Sequence, residues 1–305
     1  MIELDHISKN YGARDSVSDV SFKVEQGAFC AIVGPSGSGK STTLRMINRL
    51  IEPSAGTIRI NGEDVAALPL EALRRRIGYA IQSVGLFPHW NVADNIATVP
   101  RLLKWPEERV QQRIDELLAL LQLDPAIRTK FPHQLSGGQQ QRIGVARALA
   151  ADPEVLLMDE PFGALDPITR ETARTELSRI HKSTGKTILF VTHDIDEALG
   201  LADKIALLRN GRLVQFGPPI ELLTRPADEF VRDFMGGSSL GLKLLALRQV
   251  RERMKPEPAS GEPIAPETSL AEALSQMVLR RTSRLPVGGT GGSANGSIAL
   301  SDLVG

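Results

Sequence analysis

Gly34-Pro35-Ser36-Gly37-Ser38-Gly39-Lys40-Ser41 follows five apolar residues, Phe29 to Val33, and precedes a stretch from Thr42 to Leu50 that reads as a helix. The spacing G-x-x-x-x-G-K-[ST] between a strand and a helix is that of a phosphate-binding loop. Its glycines let the backbone curl so that successive N–H groups point at phosphate oxygens. The helix N-terminus adds its positive end. Lys40 is expected to reach the outer phosphates and Ser41 to offer a hydroxyl to Mg²⁺. A second chemical site follows the apolar run Val155 to Met158, which ends in Asp159-Glu160. Two carboxylates at the end of a buried strand sit where ligands bind in open α/β sheets. Asp159 is placed to hold Mg²⁺, directly or through water, and Glu160 to take a proton from an attacking water.

A phosphate loop alone is compatible with kinases, GTPases, helicases and motor ATPases. Further motifs narrow the choice. Leu135-Ser136-Gly137-Gly138-Gln139-Gln140-Gln141-Arg142 precedes the acidic strand and resembles the signature of ABC-type ATPases. Gln82 after the strand Gly78–Ile81 resembles the Q-loop glutamine, Gly163-Ala164-Leu165-Asp166 the D-loop, and His193 after Phe190-Val191-Thr192 the switch histidine. Tyr11, just before Gly12, resembles the aromatic that stacks on adenine. These motifs stand in the family's order over residues 1 to about 235.

The resemblance implies the ABC ATPase form of the P-loop NTPase fold: α/β, with a mixed sheet core, an antiparallel β subdomain and an α-helical subdomain. It implies that ATP is bound by Tyr11, by Gly34, Pro35, Ser36, Gly37, Ser38, Gly39, Lys40, Ser41 and Thr42, and by Gln82, Ser136, Gly137, Gly138, Gln139 and Asp166. Ser41, Gln82 and Asp159 would attend Mg²⁺. Glu160, His193, Gln82 and Lys40 would carry the hydrolysis to ADP and phosphate. Two such domains sandwich two ATP molecules head to tail. With one phosphate loop and one signature, this chain needs a second copy, and a twofold homodimer is the economical arrangement.

The elements that must position these residues are legible in the periodicity. Ile2 and Leu4, then Val20, Phe22 and Val24, recur at a period of two, which predicts half-buried antiparallel strands. GTIRINGEDV, residues 56–65, predicts a hairpin turning at Asn61-Gly62, and Asn210-Gly211 turns another within 205–216. Residues 90–150 read as mostly helical, broken at Pro106, Pro125 and Pro132, with Ile114, Leu117, Leu118 and Leu121 on one helix face. The bare apolar runs 155–158 and 187–192 predict parallel strands covered on both faces, joined by a crossover helix over 168–182.

The bulk composition sets limits. Of 305 residues, 42% are hydrophobic and 24% charged, which excludes a disordered chain. Lys plus Arg and Asp plus Glu both number 36, so no net charge draws the chain to nucleic acid. Arg74-Arg75-Arg76 reads as a solvated helix face. The single cysteine, Cys30, lies in an apolar strand and reads as a buried core thiol. The N-terminus has no signal-peptide core, and no run approaches the roughly 18 apolar residues of a membrane span. The expectation is a cytoplasmic protein, peripheral to the inner face of the cell membrane through partners.

Repair members of the family carry coiled coils or metal hooks, translation members carry two cores, and exporters usually fuse membrane helices to the core. None of these is present. Val84 to Ile96, with Leu86, Phe87 and Trp90, resembles the groove in which importer permease subunits dock a coupling helix. KSTTLRMINRLIEPSAGTI, GYAIQSVGLFPHWNVADNIATVP and FVRDFMG resemble the bacterial osmoprotectant importers, which move glycine betaine, choline, carnitine or proline betaine with the help of a substrate-binding protein. Amino-acid or polyamine import, or a soluble ABC ATPase acting on nucleic acid, are the alternatives. Beyond the 1–235 ATPase domain, residues 236–263 read as a helical extension (242–254) and a linker with four prolines between Lys255 and Pro266. Residues 264–305, with TSLAEALSQM, RLPV and SIALSDLV, resemble a partial CBS repeat.

Overall fold

The computed structural model describes residues 1–12, 15–81, 85–163, 165–288 and 294–304. These divide into two compact units, Met1–Pro219 and Ile220–Gly305.

In the first unit, β1 (Ile2–Asn10) and β2 (Asp15–Val24) pair antiparallel, with Ile2 opposite Val24 and Leu4 opposite Phe22. The alternation in sequence is the alternation of pleat faces, and Ile2, Leu4, Val20, Phe22 and Val24 are buried. β4 (Ala55–Ile60) pairs with β1 and returns into the short β5 (Glu63–Asp64). Asn61 and Gly62, at φ 54° and 81°, make the left-handed two-residue turn that the sequence predicts.

The second sheet holds the chemistry. Among the described residues it contains β3 (Phe29–Val33), β6 (Ile77–Ala80), β7 (Val155–Asp159), β8 (Thr187–Val191), β9 (Lys204–Arg209) and β10 (Arg212–Gly217), in the order β10-β9-β3-β8-β7-β6. All neighbours are parallel except the β9–β10 hairpin. Ala31, Phe190, Met158 and Ala80 lie in one row across the sheet. The chain therefore leaves β3, β8, β7 and β6 along a single edge. That register is why motifs more than a hundred residues apart converge. β3, β7 and β8 are buried throughout, which accounts for their unbroken apolar runs. Cys30 is fully buried in β3, and burial pushes its thiol pKa up.

α1 (Lys40–Ile47) packs on β7 and β8. It starts two residues earlier than the sequence suggests and stops before Arg49 turns to φ 45°. α2 (Leu70–Arg76) carries the arginine run, which pairs at the surface with Glu71 and Glu63. α3 (Val92–Leu102), α4 (Glu107–Leu120) and α5 (Gly137–Leu149) pack on one another as the helical subdomain. Val110, Ile114, Leu117 and Leu118 form the buried face of α4. Pro106 caps α4, while Pro125 and Pro132 open 3₁₀ turns. The crossover helix α6 (Pro167–Thr184) ends at Gly185, φ 60°, and α7 (Ile195–Leu201) follows β8.

The second unit comprises α8 (Pro219–Thr224, at the boundary), α9 (Glu229–Met235), α10 (Leu240–Leu247), α11 (Leu270–Leu279), the hairpin β11 (Arg284–Gly288)–β12 (Ala294–Ala299) and α12 (Leu300–Val304). Three expectations change here. The unit begins at residue 220 rather than 236, because α9 runs through a 3₁₀ turn into α10. The helix expected over 242–254 ends at Leu247. There the backbone instead pairs with residues 268–270, through Val250 N–H to Thr268 O and Leu270 N–H to Arg248 O, both at 2.9 Å. The proline-rich segment is not a free spacer. Lys255 and Ser297 exchange backbone hydrogen bonds of 2.9 and 2.8 Å, and Ile264 N–H donates to Pro286 O at 2.9 Å. Both ends of the segment are thus tied to the hairpin, and Ile264 joins a core with Val250, Leu270, Met277, Leu285 and Ile298. Residues 289–293, half of the glycine-rich stretch 288–297 that interrupts the CBS-like pattern, lie outside the described residues.

Candidate active site

The loop leaving β3 is shaped by glycine. Gly34, Gly37 and Gly39 have φ of 147°, 77° and 98°. A Cβ on Gly34 would lie 2.1 Å from Leu208 O, and one on Gly39 would lie 2.5 Å from Ser16 O. The cradle exists because these positions carry no side chain. Thr43 N–H donates to Gly39 O at 2.9 Å, so the loop runs directly into the first turn of α1. Ser16 and Thr42 hydroxyls meet at 3.0 Å. Ser38 Oγ is buried without a hydrogen-bond partner at the inner side of the loop.

Lys40 is buried and folds back over the loop, donating to Gly34 O at 2.8 Å and Pro35 O at 3.0 Å. Burial holds its pKa below the usual lysine value, against the opposing fields of Glu160 and Asp159. Its ammonium is thus held by backbone carbonyls, the kind of contact that an anionic phosphate would outcompete.

Asp159, also buried, ends β7 and accepts from Ser41 Oγ at 2.8 Å. Arg45 stands 3.8 Å from its other oxygen. Among the described residues no three His, Cys, Asp or Glu cluster as a self-sufficient metal site. The hydroxyl–carboxylate pair nevertheless fits Mg²⁺, which takes oxygen ligands and is commonly held by one or two protein groups together with phosphate oxygens. Glu160 follows in the left-handed region, φ 48°, which is costly for a non-glycine residue. Its N–H donates to Val191 O at 3.0 Å, carrying the β7–β8 ladder one residue past the strand. His193 Nδ1 lies 3.4 Å from Glu160 Oε1. His193 is exposed.

Other expected residues stand apart from this edge. Ser136 caps α5 and forms a reciprocal box with Gln139: Gln139 N–H donates to Ser136 Oγ at 3.3 Å, and Ser136 N–H donates to Gln139 Oε1 at 3.0 Å. Ser136 and Gly137 are exposed, and a Cβ on Gly137 would meet open space. Gly138 is tighter: a Cβ there would lie 2.9 Å from Thr169 Cγ2. Asp166 caps α6, accepting from Ile168 and Thr169 N–H at 3.1 Å, and the Thr169 bonds lower its pKa. Tyr11 is more than half exposed, with Lys9 Nζ 5.2 Å from its ring centroid. Gln82, Val84 and Ala164 lie outside the described residues.

Sequence reasoning passed over Thr192, Arg170 and Glu197. Thr192 Oγ1 donates to the buried Glu197 at 2.5 Å and accepts Asp194 N–H at 3.0 Å. Asp194-x-x-Glu197 has the spacing of a capping box, and that was the available signal. Gln141, on the buried side of the signature helix, donates to Pro161 O immediately after Glu160.

Comparison with known proteins places these features in a family. The family model for "ABC transporter" matches residues 17–163. The chain is 56% identical over 305 residues to the glycine betaine uptake system ATP-binding protein YehX of Escherichia coli K12, covering all of this chain and 99% of that protein. It is 48% identical over 289 residues to the choline transport ATP-binding protein OpuBA of Bacillus subtilis, covering 94% of this chain and 75% of the relative. The solved dimer of the ATP-binding cassette MJ0796 in a post-hydrolysis state, bound to ADP and Pi, superposes with a TM-score of 0.64. It is 33% identical, and the match covers 72% of this chain and 98% of that one. The chain belongs to the ATP-binding subunits of ABC transporters.

Proposed function

We propose that this chain hydrolyses ATP to power the uptake of an osmoprotectant such as glycine betaine or choline. The observation that carries the chemistry is the meeting, on one sheet edge, of the glycine cradle with Lys40, the Ser41–Asp159 pair and the Glu160–His193 pair. Lys40 exchanges its loop carbonyls for the outer phosphates. Ser41 and Asp159, with Gln82, would hold Mg²⁺, which would neutralise charge on the phosphate oxygens. Glu160 accepts a proton from water as its oxygen attacks the γ-phosphorus and the bond to ADP breaks. His193 holds the γ-phosphate side of the same space. Tyr11, free on one face, stacks on the adenine.

Ser136 and Gly137 are exposed at the start of α5, where a second copy can reach them. The dimeric form of the related cassette supports a homodimer in which the signature of one copy closes over the ATP of the other. Asp166 then lies at the same seam.

Permease subunits are the second class of partner. Among the described residues no helix is long and apolar enough to cross a membrane. Phe87 and Trp90 are exposed, with ring centroids 4.6 Å apart. Phe87 lines a cleft of about 360 Å³ together with Tyr79, Val99 and Arg147. The buried Asn95 amide fixes this surface by bonding Phe87 N–H and O and Trp90 O. An apolar helix from a membrane subunit fits such a groove. Bound to such subunits, the protein would sit on the cytoplasmic face of the membrane, with a substrate-binding protein acting on the other side. Residues 264–305, in the order extended segment, α11, β11, β12, α12, are read as a CBS-like appendage.

Cargo is tested by competition. In cells lacking parallel transporters, unlabelled glycine betaine, choline, carnitine or proline betaine should each suppress labelled uptake through the system. Suppression by amino acids or polyamines alone would reassign it.

A further inference from the structure

The turn that presents His193 is held from behind by a buried ionic group that no motif names. Thr192 N–H donates to Ile32 O at 3.2 Å, anchoring the turn to β3 just before the phosphate loop. The Thr192 hydroxyl bridges forward, accepting from Asp194 N–H and donating to Glu197 Oε2. His193 is therefore bracketed on both sides by one hydroxyl whose acceptor is Glu197. The capping-box spacing would have Glu197 accept Asp194 N–H directly, but here Thr192 takes that bond and frees the carboxylate for another partner.

That partner is Arg170, one turn into α6. Arg170 Nη2 donates to Leu165 O in the D-loop at 3.0 Å. Its Nη1 is 3.8 Å from Asp194, and its Nε is 3.9 Å from Glu197. Nε is buried and has no hydrogen-bond partner. A buried donor left about one ångström short of a carboxylate is an unmade bond that a small shift would complete. One side chain thus touches the D-loop backbone and, electrostatically, both carboxylates that order the histidine turn.

We propose that Glu197 is a positioning residue for His193 and that Arg170 transmits the state of the D-loop to it. A D-loop shifted against a second copy moves Leu165 O and with it Arg170. The Nε–Glu197 bond then closes, and Thr192 holds His193 in its working orientation. Hydrolysis in one copy is thereby made conditional on the seam with the other. This rests on the reading of His193 above.

The test is a cycle of full-length variants: Glu197→Ala, Glu197→Gln, Arg170→Ala and His193→Ala, singly and with His193→Ala combined with each of the others. Turnover, ATP affinity and melting temperature are measured for all. Glu197→Ala and Arg170→Ala are expected to lower kcat at least about tenfold with ATP affinity within about twofold. Glu197→Gln, which keeps an acceptor for Thr192 but no charge for Arg170, should fall between wild type and alanine. In the His193→Ala background none of them should lower kcat further. Losses that multiply with His193→Ala, or losses matched by a lower melting temperature in the isosteric Glu197→Gln, would overturn the inference. Full turnover in His193→Ala alone would instead overturn the reading of His193 itself.

Discussion

His193 Nδ1 sits 3.4 Å from Glu160 Oε1 across the ends of two neighbouring parallel strands. The Glu160 N–H to Val191 O bond fixes their relative height. One residue is strained into left-handed backbone and the other is exposed. The strained backbone of one and the exposed ring of the other fit the roles in hydrolysis proposed for them.

Glu160→Gln keeps the shape of the side chain and removes its basicity. ATP binding should persist, while hydrolysis falls by about 10² to 10⁴. Unhydrolysed ATP should then trap a dimer, visible by light scattering. A monomer with full turnover would remove Glu160 from the chemistry.

Lys40→Ala removes the cation that the loop carbonyls now hold. ATP affinity, measured by calorimetry, should drop at least about tenfold, or roughly 1.4 kcal/mol. Unchanged affinity would refute the phosphate-loop assignment.

Ser41→Ala breaks the bond to Asp159 and removes the hydroxyl proposed to hold Mg²⁺. The Mg²⁺ concentration for half-maximal hydrolysis should rise about tenfold, or roughly 1.4 kcal/mol. ATP affinity without Mg²⁺ should hardly move. An unchanged Mg²⁺ dependence would place the metal elsewhere.

Much of this was legible in the sequence, and the reason is local. Short motifs whose backbone must curl, such as Gly34 to Gly39, announce themselves through glycine spacing. Apolar runs such as Val155 to Met158 announce buried parallel strands. The strand order and register that bring Asp159, His193 and the phosphate loop to one edge were visible only in the structure. Less legible were interactions whose partners are set by packing. Glu197, which no motif singles out, accepts from Thr192. Arg170, equally unmarked in the sequence, bonds Leu165 O and stands 3.9 Å from Glu197. In the second unit, helix propensity over 248–254 lost to backbone pairing with residues 268–270, and four prolines suggested a spacer where the chain in fact edges a hairpin.

Gly34→Ala should be among the most damaging small substitutions. Its Cβ would meet Leu208 O at 2.1 Å, with φ at 147°. A loss of about 2–5 kcal/mol in stability, or a displaced loop with lost nucleotide binding, is expected. A variant with wild-type melting temperature and affinity would show that the cradle is looser than described.

Leu285→Ala opens a cavity in the core of the second unit, where Leu285 is buried with Met277 and Ile298. The cost should be about 2–5 kcal/mol, confined to that unit. Two thermal transitions, with only one shifted and basal ATPase activity kept, would confirm its independence. Loss of activity would make the tail part of the ATPase core.

The most direct measurement is uptake of labelled glycine betaine in cells whose parallel transporters are deleted, comparing the wild-type chain with Lys40→Ala. Uptake that needs Lys40 is the predicted result, because phosphate binding at this loop would then power transport. Equal uptake with either chain would contradict the account, because cargo would then move without this nucleotide site.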